Sequence, residues 1–111
     1  MNDWLVSQYK KKNNGAPPDF FVAGGMAAGM AVVAAVKKAG STDAEKLIAA
    51  MEGLEFDTPK GKMTFRKEDH QALQEMYHWR MKKDPPDNVD LLELVRVIPA
   101  SEMTLPIKNK R

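Results

Sequence analysis

The side chains of this sequence that could do acid–base or metal chemistry are concentrated in one short segment, Glu68-Asp69-His70, with a second histidine, His78, further along. A zinc site needs three or four ligands at helix or hairpin spacing, and the segment has neither an H-E-x-x-H pattern nor a cysteine. Glu68 and Asp69 are neighbours in a polar loop, where no feature sets one of them apart for general-acid catalysis. We therefore predict no catalytic residue, no metal site and no cofactor.

A second candidate site lies in the glycine-rich stretch Ala23-Gly24-Gly25-Met26. A dinucleotide-binding loop has glycines at its first, third and sixth positions, whereas Gly24, Gly25 and Gly29 fall at the first, second and sixth. The stretch does offer the start of a helix with free backbone amides and no bulky side chain before Met26, which suits a carboxylate. We predict that Ala23, Gly24, Gly25 and Met26 bind ligand. The alternative is that these glycines only admit a closely packed neighbour.

Composition restricts the class of protein that could use such a site. The chain has 111 residues, 17 Lys plus Arg against 15 Asp plus Glu, and a formal net charge of +2. It is long enough to bury a core, and its charge balance does not favour a nucleic-acid partner. With no cysteine, it has no disulfide, no thiolate metal site and no cysteine nucleophile.

Two segments bear on targeting. Residues 1–5 lack the basic start and apolar run of a secretory signal, so we expect any export signal to lie upstream. The longest apolar run, Phe20 to Val36, is interrupted by three glycines and is at the short limit of a membrane span. A buried helix is the interpretation that we favour for it.

The elements that would position these residues follow from the apolar periodicity. Asp3 to Lys12 predicts an amphipathic helix. Pro17-Pro18-Asp19 leads into Phe20-Phe21-Val22, a β-prone run that predicts either a strand end or an extended stretch opening into a helix. Met26 to Ala39 is nearly all Ala, Val and Met, and predicts a helix that is buried on most sides and ends at Gly40.

The next segment predicts one more helix. Thr42-Asp43-Ala44-Glu45 fits a capping box in which Thr42 and Glu45 bond each other's backbone amides. The apolar stripe of this helix follows the i, i+3, i+4, i+7 rule, and Gly53 lies where a C-terminal cap belongs. The stripe consists of Ala44, Leu47, Ile48 and Met51.

Strands occupy the rest of the predicted fold. Phe56 to Phe65 predicts a hairpin with Pro59 and Gly61 in its turn and with Met63 and Phe65 on one face. Alternation of apolar and polar residues over 77–81 and the β-prone run 91–98 predict two further strands. The order of helices and strands indicates an α/β or α+β fold without internal repeats.

The order of several short motifs indicates a family. Together they resemble the carboxyl-terminal region of the leucine/isoleucine/valine-binding protein family of type I periplasmic receptors, over about residues 3 to 98. These motifs are Lys37-Lys38-Ala39-Gly40-Ser41-Thr42-Asp43, Glu45-Lys46-Leu47-Ile48, Phe56-Asp57-Thr58-Pro59-Lys60-Gly61, and Phe65 with Asp69-His70-Gln71.

The resemblance implies an α/β fold that is the C-terminal fragment of a two-lobe receptor, with residues 1–98 in the ligand-binding domain and 99–111 as an exposed tail. It implies a non-enzymatic, periplasmic protein that closes on an amino acid or small carboxylate and delivers it to an ABC permease. Most ligand-gripping residues would lie upstream of Met1. Family members often place aromatic residues just before the Ala-rich helix, where this sequence has Ala23 to Met26, which would suit a bulkier ligand such as an aromatic acid.

A rival hypothesis needs no second lobe. A free-standing small α+β interaction domain of this sequence would pair through a bare apolar face and form a homo-oligomer. A clean monomer in light scattering at high concentration would argue against this rival hypothesis.

Overall fold

A computed structural model describes residues 1–108 of the chain. Within them, three helices precede five strands and a short 3-10 turn, in a mixed α/β arrangement that agrees with the predicted fold class. The helices are α1 (Asn2–Lys12), α2 (Val22–Ala39) and α3 (Ala44–Met51). The strands are β1 (Glu55–Thr58), β2 (Gly61–Phe65), β3 (Ala72–Leu73), β4 (Met76–Met81) and β5 (Leu92–Ile98), and the turn is Ala100–Glu102.

Helix α2 begins four residues earlier than the sequence predicts. Phe20 and Phe21 form a turn and Val22 begins the helix, so the strand end or extended stretch expected over Phe20-Phe21-Val22 is wrong. The cause is local, because the Asp19 Oδ1 atom accepts the Phe21 amide at 3.0 Å and bends the chain directly into the helix. The helix ends at Gly40, as predicted, in the left-handed conformation (φ 61°), with the Gly40 amide donating to the Val36 carbonyl at 2.8 Å.

Helix α2 is buried along one stripe and not on most sides, contrary to the prediction. Ala27, Ala31 and Ala35 are buried, whereas Val32 and Val33 on another face are 51% and 53% exposed. The helix is long and apolar enough to span a membrane, as core helices of soluble proteins also are. Its Val32–Val33 face therefore lacks a partner within residues 1–108.

The buried stripe of α2 lies against the three-stranded sheet. Leu54, Phe56 and Met63 complete a small core with the three alanines, and the rings of Phe56 and Phe65 lie 5.4 Å apart. Alanine allows the helix backbone to approach the sheet closely, so a short hairpin can cover it. The core is therefore made of the α2 stripe and one sheet face, with Leu47 and Met51 of α3 packed against it.

Helix α3 is capped by a different residue from the one predicted. Asp43 is the N-cap and its Oδ1 atom accepts the Lys46 amide at 3.1 Å, so the capping box on Thr42 and Glu45 is wrong. Of the predicted apolar stripe, Leu47 and Met51 pack against the core, whereas Ala44 and Ile48 are exposed and Ala50, which was not predicted, is buried.

The predicted hairpin is confirmed. Strands β1 and β2 pair antiparallel with Phe56 opposite Met63 and Thr58 opposite Gly61. The buried Thr58 hydroxyl donates to the Gly61 carbonyl at 2.7 Å and accepts the Lys60 amide at 3.1 Å, which closes the turn. Strand β3, which the sequence did not predict, adds to β2 and gives the order β1-β2-β3.

The last two strands form a separate two-stranded ribbon. Strands β4 and β5 pair antiparallel, with an irregularity between His78 and Trp79 where Val95 has no partner. Both predicted strands are confirmed, but most of the ribbon's apolar side chains are exposed.

The segment after β5 returns to the loop that follows β2. Pro99 and Ala100 are half-buried, and the Arg66 Nη1 atom donates to the Leu105 carbonyl at 2.6 Å. Most other described side chains of the expected tail 99–111 are exposed, and residues 109–111 lie outside the described part. Arg66 therefore fastens this segment to the sheet end.

Candidate functional site

The four predicted ligand-binding residues lie in the first two turns of α2. Ala23 and Met26 are half-buried, whereas Gly24 and Gly25 are exposed. Because the helix begins at Val22, the Gly25 amide already donates to the Phe21 carbonyl at 2.9 Å. The Gly25 amide is thus not free for an anion, contrary to the expectation from a helix beginning at Met26. The amides of the first helical turn, before Gly25, are the ones that a ligand could reach.

The glycines of α2 face open space. A Cβ atom built on Gly24, Gly25 or Gly29 would meet no other atom within 4 Å. Within residues 1–108, no neighbouring backbone approaches the helix closely at these positions. The alternative, that the glycines admit a closely packed neighbour, would therefore need a neighbour from outside these residues. The absence of side chains leaves room beside the helix for another group.

One cleft reaches this part of the helix. It has a volume of about 260 Å³ and lies between the first half of α2 and the β1–β2 hairpin. Of the four predicted site residues, only Gly24 lines it. The full lining is Gly24, Ala27, Ala28, Ala31, Phe56, Lys60, Met63, Phe65 and Gln74. The apolar residues that line the cleft are therefore small on the helix side and aromatic or sulfur-containing on the sheet side.

Two polar residues border this cleft. Lys60 is the one charged residue in the lining, and the Gln74 Oε1 atom is buried without a hydrogen-bond partner in the described part of the chain. The Lys60 carbonyl accepts from the Tyr77 hydroxyl at 2.7 Å. Burial and the neighbouring Glu75 carboxylate raise the pKa of Tyr77, so this hydroxyl stays a donor. Sequence reasoning missed Gln74, since no spacing pattern marks it.

The residues that suggested acid–base chemistry do not converge. Asp69 bonds Arg66, and the Arg66 side chain lowers the pKa of that carboxyl through these hydrogen bonds. The His70 Nε2 atom lies 3.3 Å from Glu52 Oε1, and His78 pairs across the ribbon with Arg96. Over residues 1–108, no three His, Asp or Glu side chains come close enough to hold a metal ion. Asp69 and His70 thus contact Arg66 and Glu52.

Comparison with known proteins connects this geometry to a family. The family model described as periplasmic binding protein matches residues 2–86, which is more than half of the chain. No curated protein matches the chain.

Solved structures agree with this family. An ABC-type branched-chain amino acid transporter protein of Rhodopseudomonas palustris CGA009 is 65% identical, with a TM-score of 0.89 over 100% of this chain and 30% of its own. A solute-binding protein of Rhodopseudomonas palustris BisB5, solved with 3,4-dihydroxybenzoic acid, is 29% identical. Its TM-score is 0.72, over 90% of this chain and 27% of its own.

An amino acid ABC transporter substrate-binding protein of Pseudomonas fluorescens Pf-5 is 25% identical, with a TM-score of 0.76 over 87% of this chain and 26% of its own. The chain thus spans less than a third of each of these three proteins, while its helices and strands match theirs. The ordered motifs, the mixed α/β fold and these matches lead to one conclusion: the chain belongs to the periplasmic binding protein family of ABC-transporter solute receptors.

Proposed function

We propose that this chain forms part of one wall of a two-lobe receptor that captures a small carboxylate or amino acid in the periplasm and delivers it to an ABC permease. The observation that carries the proposal is the start of α2, where Gly24 and Gly25 face open space and Gly24 borders a cleft. A cleft with apolar walls and few polar groups is the usual form of a small-molecule site. Family membership supports the receptor role, the periplasmic location and the absence of catalysis.

We further propose an aromatic carboxylate as the ligand. The cleft has small residues, Gly24 and Ala28, on the helix side and aromatic rings, Phe56 and Phe65, on the sheet side, and such walls suit a flat ring. The relative solved with 3,4-dihydroxybenzoic acid supports this choice, while the relative described as a branched-chain amino acid transporter supports an aliphatic amino acid. Among the lining residues, Lys60 offers the positive charge that a carboxylate prefers.

The test needs a complete receptor. We would replace the matching 30% of the Rhodopseudomonas palustris CGA009 protein with this chain, and we refer to the product as the chimeric receptor. Isothermal titration against leucine, phenylalanine, benzoate and 3,4-dihydroxybenzoate then compares the ligand classes. We expect binding by the aromatic acids. Binding of leucine alone would overturn the aromatic assignment, and no binding across the panel would overturn the receptor proposal.

A size series at Gly24 tests the contribution of this chain. Because a Cβ there meets no atom of residues 1–108 within 4 Å outside its own stretch of helix, Gly24→Ala should leave the fold intact, and circular dichroism checks that Gly24→Phe keeps the same helix content. We expect Gly24→Phe to weaken ligand binding by roughly tenfold or more, equal to about 1.4 kcal/mol, because the new ring fills the ligand's space. Gly24→Ala is the matched control and should bind within about twofold. Equal affinities in the series would contradict the placement of the ligand here.

The rival hypothesis of a self-associating domain has one structural support. Exposed valines on α2 and exposed apolar side chains on β4 and β5 give the isolated chain bare surfaces. We propose that association of the isolated chain follows from these surfaces and is not its biological role. Oligomers that persist in the chimeric receptor would favour the rival.

A further inference from the structure

A row of side chains crosses the core face of the β1-β2-β3 sheet. Phe56 of β1 pairs with Met63 of β2, and both are buried. Strand β3 pairs with β2 at Thr64 and Leu73. One step further along this antiparallel register, Gln74 comes beside Met63, and Phe56, Met63 and Gln74 all line the cleft under α2. The row thus begins with two apolar residues and ends with an amide.

The Gln74 amide has an unused acceptor. Its Oε1 atom is buried and has no hydrogen-bond partner in the described part of the chain. A buried polar atom without a partner lowers stability, and a methionine of similar length would fill the same place without that cost. The position therefore carries a polar atom that the folding of residues 1–108 does not use.

This acceptor can reach a molecule in the cleft. No hydrogen bond within residues 1–108 holds the Oε1 atom in place, and the terminal torsion of a glutamine side chain is soft. Gln74 is only half-buried and lines the cleft, so a small rotation turns its amide oxygen from the interior toward the cleft. The geometry thus presents a neutral hydrogen-bond acceptor to an occupant of the cleft.

The charge of the cleft restricts the donor that suits this acceptor. Among residues 1–108, Lys60 is the one charged residue in the lining. It attracts a carboxylate, but it repels a cationic donor such as the ammonium of an amino acid. A hydroxyl on an aromatic ring is a neutral donor, and the ring itself suits Phe56 and Phe65. A hydroxylated aromatic carboxylate therefore matches the acceptor, the charge and the apolar walls together.

We propose that Gln74 is a specificity-determining residue, whose Oε1 atom accepts a hydrogen bond from a hydroxyl on the ring of the aromatic carboxylate. The inference rests on the proposed function and adds a selecting residue to the same cleft. A ligand with the same ring and carboxylate but no donor leaves the Oε1 atom unpaired, so it binds more weakly. The apolar walls contribute affinity without distinguishing the two ligands.

A matched pair of ligands tests this hydrogen bond. Of 3,4-dihydroxybenzoate and 3,4-difluorobenzoate, which have similar outlines, only the first has hydroxyl donors. We expect the chimeric receptor to bind the dihydroxy compound about tenfold more tightly, and Gln74→Met to reduce this preference to about twofold or less by weakening the dihydroxy compound alone. Isothermal titration measures both affinities. A preference that persists in Gln74→Met, or an equal loss of affinity for both ligands, would overturn the proposal.

Gln71→Met is the matched control. Gln71 is exposed and does not line the cleft, so the same substitution there removes an amide that the ligand does not meet. We expect both affinities to stay within about twofold of those of the original chimeric receptor. If Gln71→Met removed the preference as Gln74→Met does, the effect would not belong to the cleft and the proposal would be wrong.

Urea unfolding separates ligand selection from a structural role. Because the Oε1 atom has no partner in the fold, Gln74→Met should unfold at the same urea concentration as the original sequence or at a higher one. This holds for the ligand-free chimeric receptor and for the isolated 111-residue chain. A lower midpoint in either protein would assign Gln74 a structural partner and overturn the proposal. If the chimeric receptor does not fold, the isolated chain decides by the same criterion.

The titrations also distinguish this inference from the proposed function. Equal affinity of the chimeric receptor for the two ligands would overturn selection by Gln74 and leave the proposed function standing. No binding across the ligand panel would overturn the proposed function, and this inference with it. A preference for the dihydroxy compound that disappears in Gln74→Met alone supports both.

Discussion

Arg66 holds Asp69 through two parallel hydrogen bonds, from Nε to Oδ1 at 2.8 Å and from Nη2 to Oδ2 at 2.5 Å. Both side chains are largely shielded, with 15% and 10% exposed. The same guanidinium donates to the Leu105 carbonyl and so joins the loop after β2 to the segment after β5. The carboxylate that offered acid–base chemistry in the sequence therefore fastens two parts of the fold.

The Arg66–Asp69 ion pair predicts that the folded chain loses stability in acid. The Arg66 hydrogen bonds lower the pKa of Asp69 below its ordinary value of about 3.9, so the unfolded state takes up the proton first as pH falls. The stability that the ionised Asp69 carboxylate contributes is fully present above its ordinary pKa. It is lost as the pH falls from that value through the lower pKa of Asp69 in the folded state. Urea unfolding of the isolated chain at several pH values across this range should show the loss. The free energy of unfolding should fall less steeply with decreasing pH in Asp69→Asn than in the original sequence. An identical slope in Asp69→Asn would contradict the assignment.

The cap of α3 predicts a contrast between neighbouring residues. Asp43→Ala removes the acceptor of the Lys46 amide and should lower the free energy of unfolding by about 1 kcal/mol. Thr42→Ala is the control, because the capping bond belongs to Asp43, and it should change stability little. Urea unfolding of the two variants measures the difference. A larger loss of stability in Thr42→Ala than in Asp43→Ala would contradict the Asp43 cap and favour the capping box of Thr42 and Glu45 predicted from the sequence.

The hairpin turn predicts a cost for removing one hydroxyl. The Thr58 side chain is 5% exposed and makes two hydrogen bonds within the turn. Thr58→Val keeps its shape and leaves the Lys60 amide without this acceptor, so we expect a loss of about 1 to 2 kcal/mol in thermal or urea unfolding. Thr64→Val in the neighbouring strand is the control and should be nearly neutral. If both variants unfold alike, the turn hydrogen bonds do not stabilise the hairpin.

The alanine stripe of α2 predicts sensitivity to side-chain size. Ala35 is fully buried against the core, so Ala35→Leu should overpack it and cost about 1 to 3 kcal/mol. Ala28→Leu places the same side chain at an exposed position of the same helix and should be close to neutral in the isolated chain. Circular dichroism during urea unfolding compares them. Equal stability would contradict the close contact of helix and sheet.

The elements with strong local signals could be predicted from the sequence. The glycine at the end of α2 and the proline–glycine turn of the hairpin both set backbone angles that few other residues adopt. The start of α2 could not be predicted, because Phe-Phe-Val favours a strand. The hydrogen bond from the Phe21 amide to the Asp19 side chain, which bends the chain into the helix, leaves no distinct pattern in the sequence. The short strand β3 has too few residues to show a period.

Burial was harder to predict than element type. The composition of α2 indicated a helix buried all round, but burial depends on which neighbours are present, and Val32 and Val33 have none within residues 1–108. The bulge at Val95 is invisible to a period-two pattern, although it decides which leucines lie beside Trp79. Of the candidate site, the sequence could indicate the glycines of α2, while Gln74 and Phe56 reach the cleft only through the folded sheet.

The most direct test of the central claim is titration of the isolated 111-residue chain with the ligand that the chimeric receptor binds. We expect the chimera to bind it with micromolar or tighter affinity, while the isolated chain, which in our proposal supplies part of one wall of the pocket, gives no measurable heat at the same concentrations. Micromolar binding by the isolated, folded chain would contradict the account.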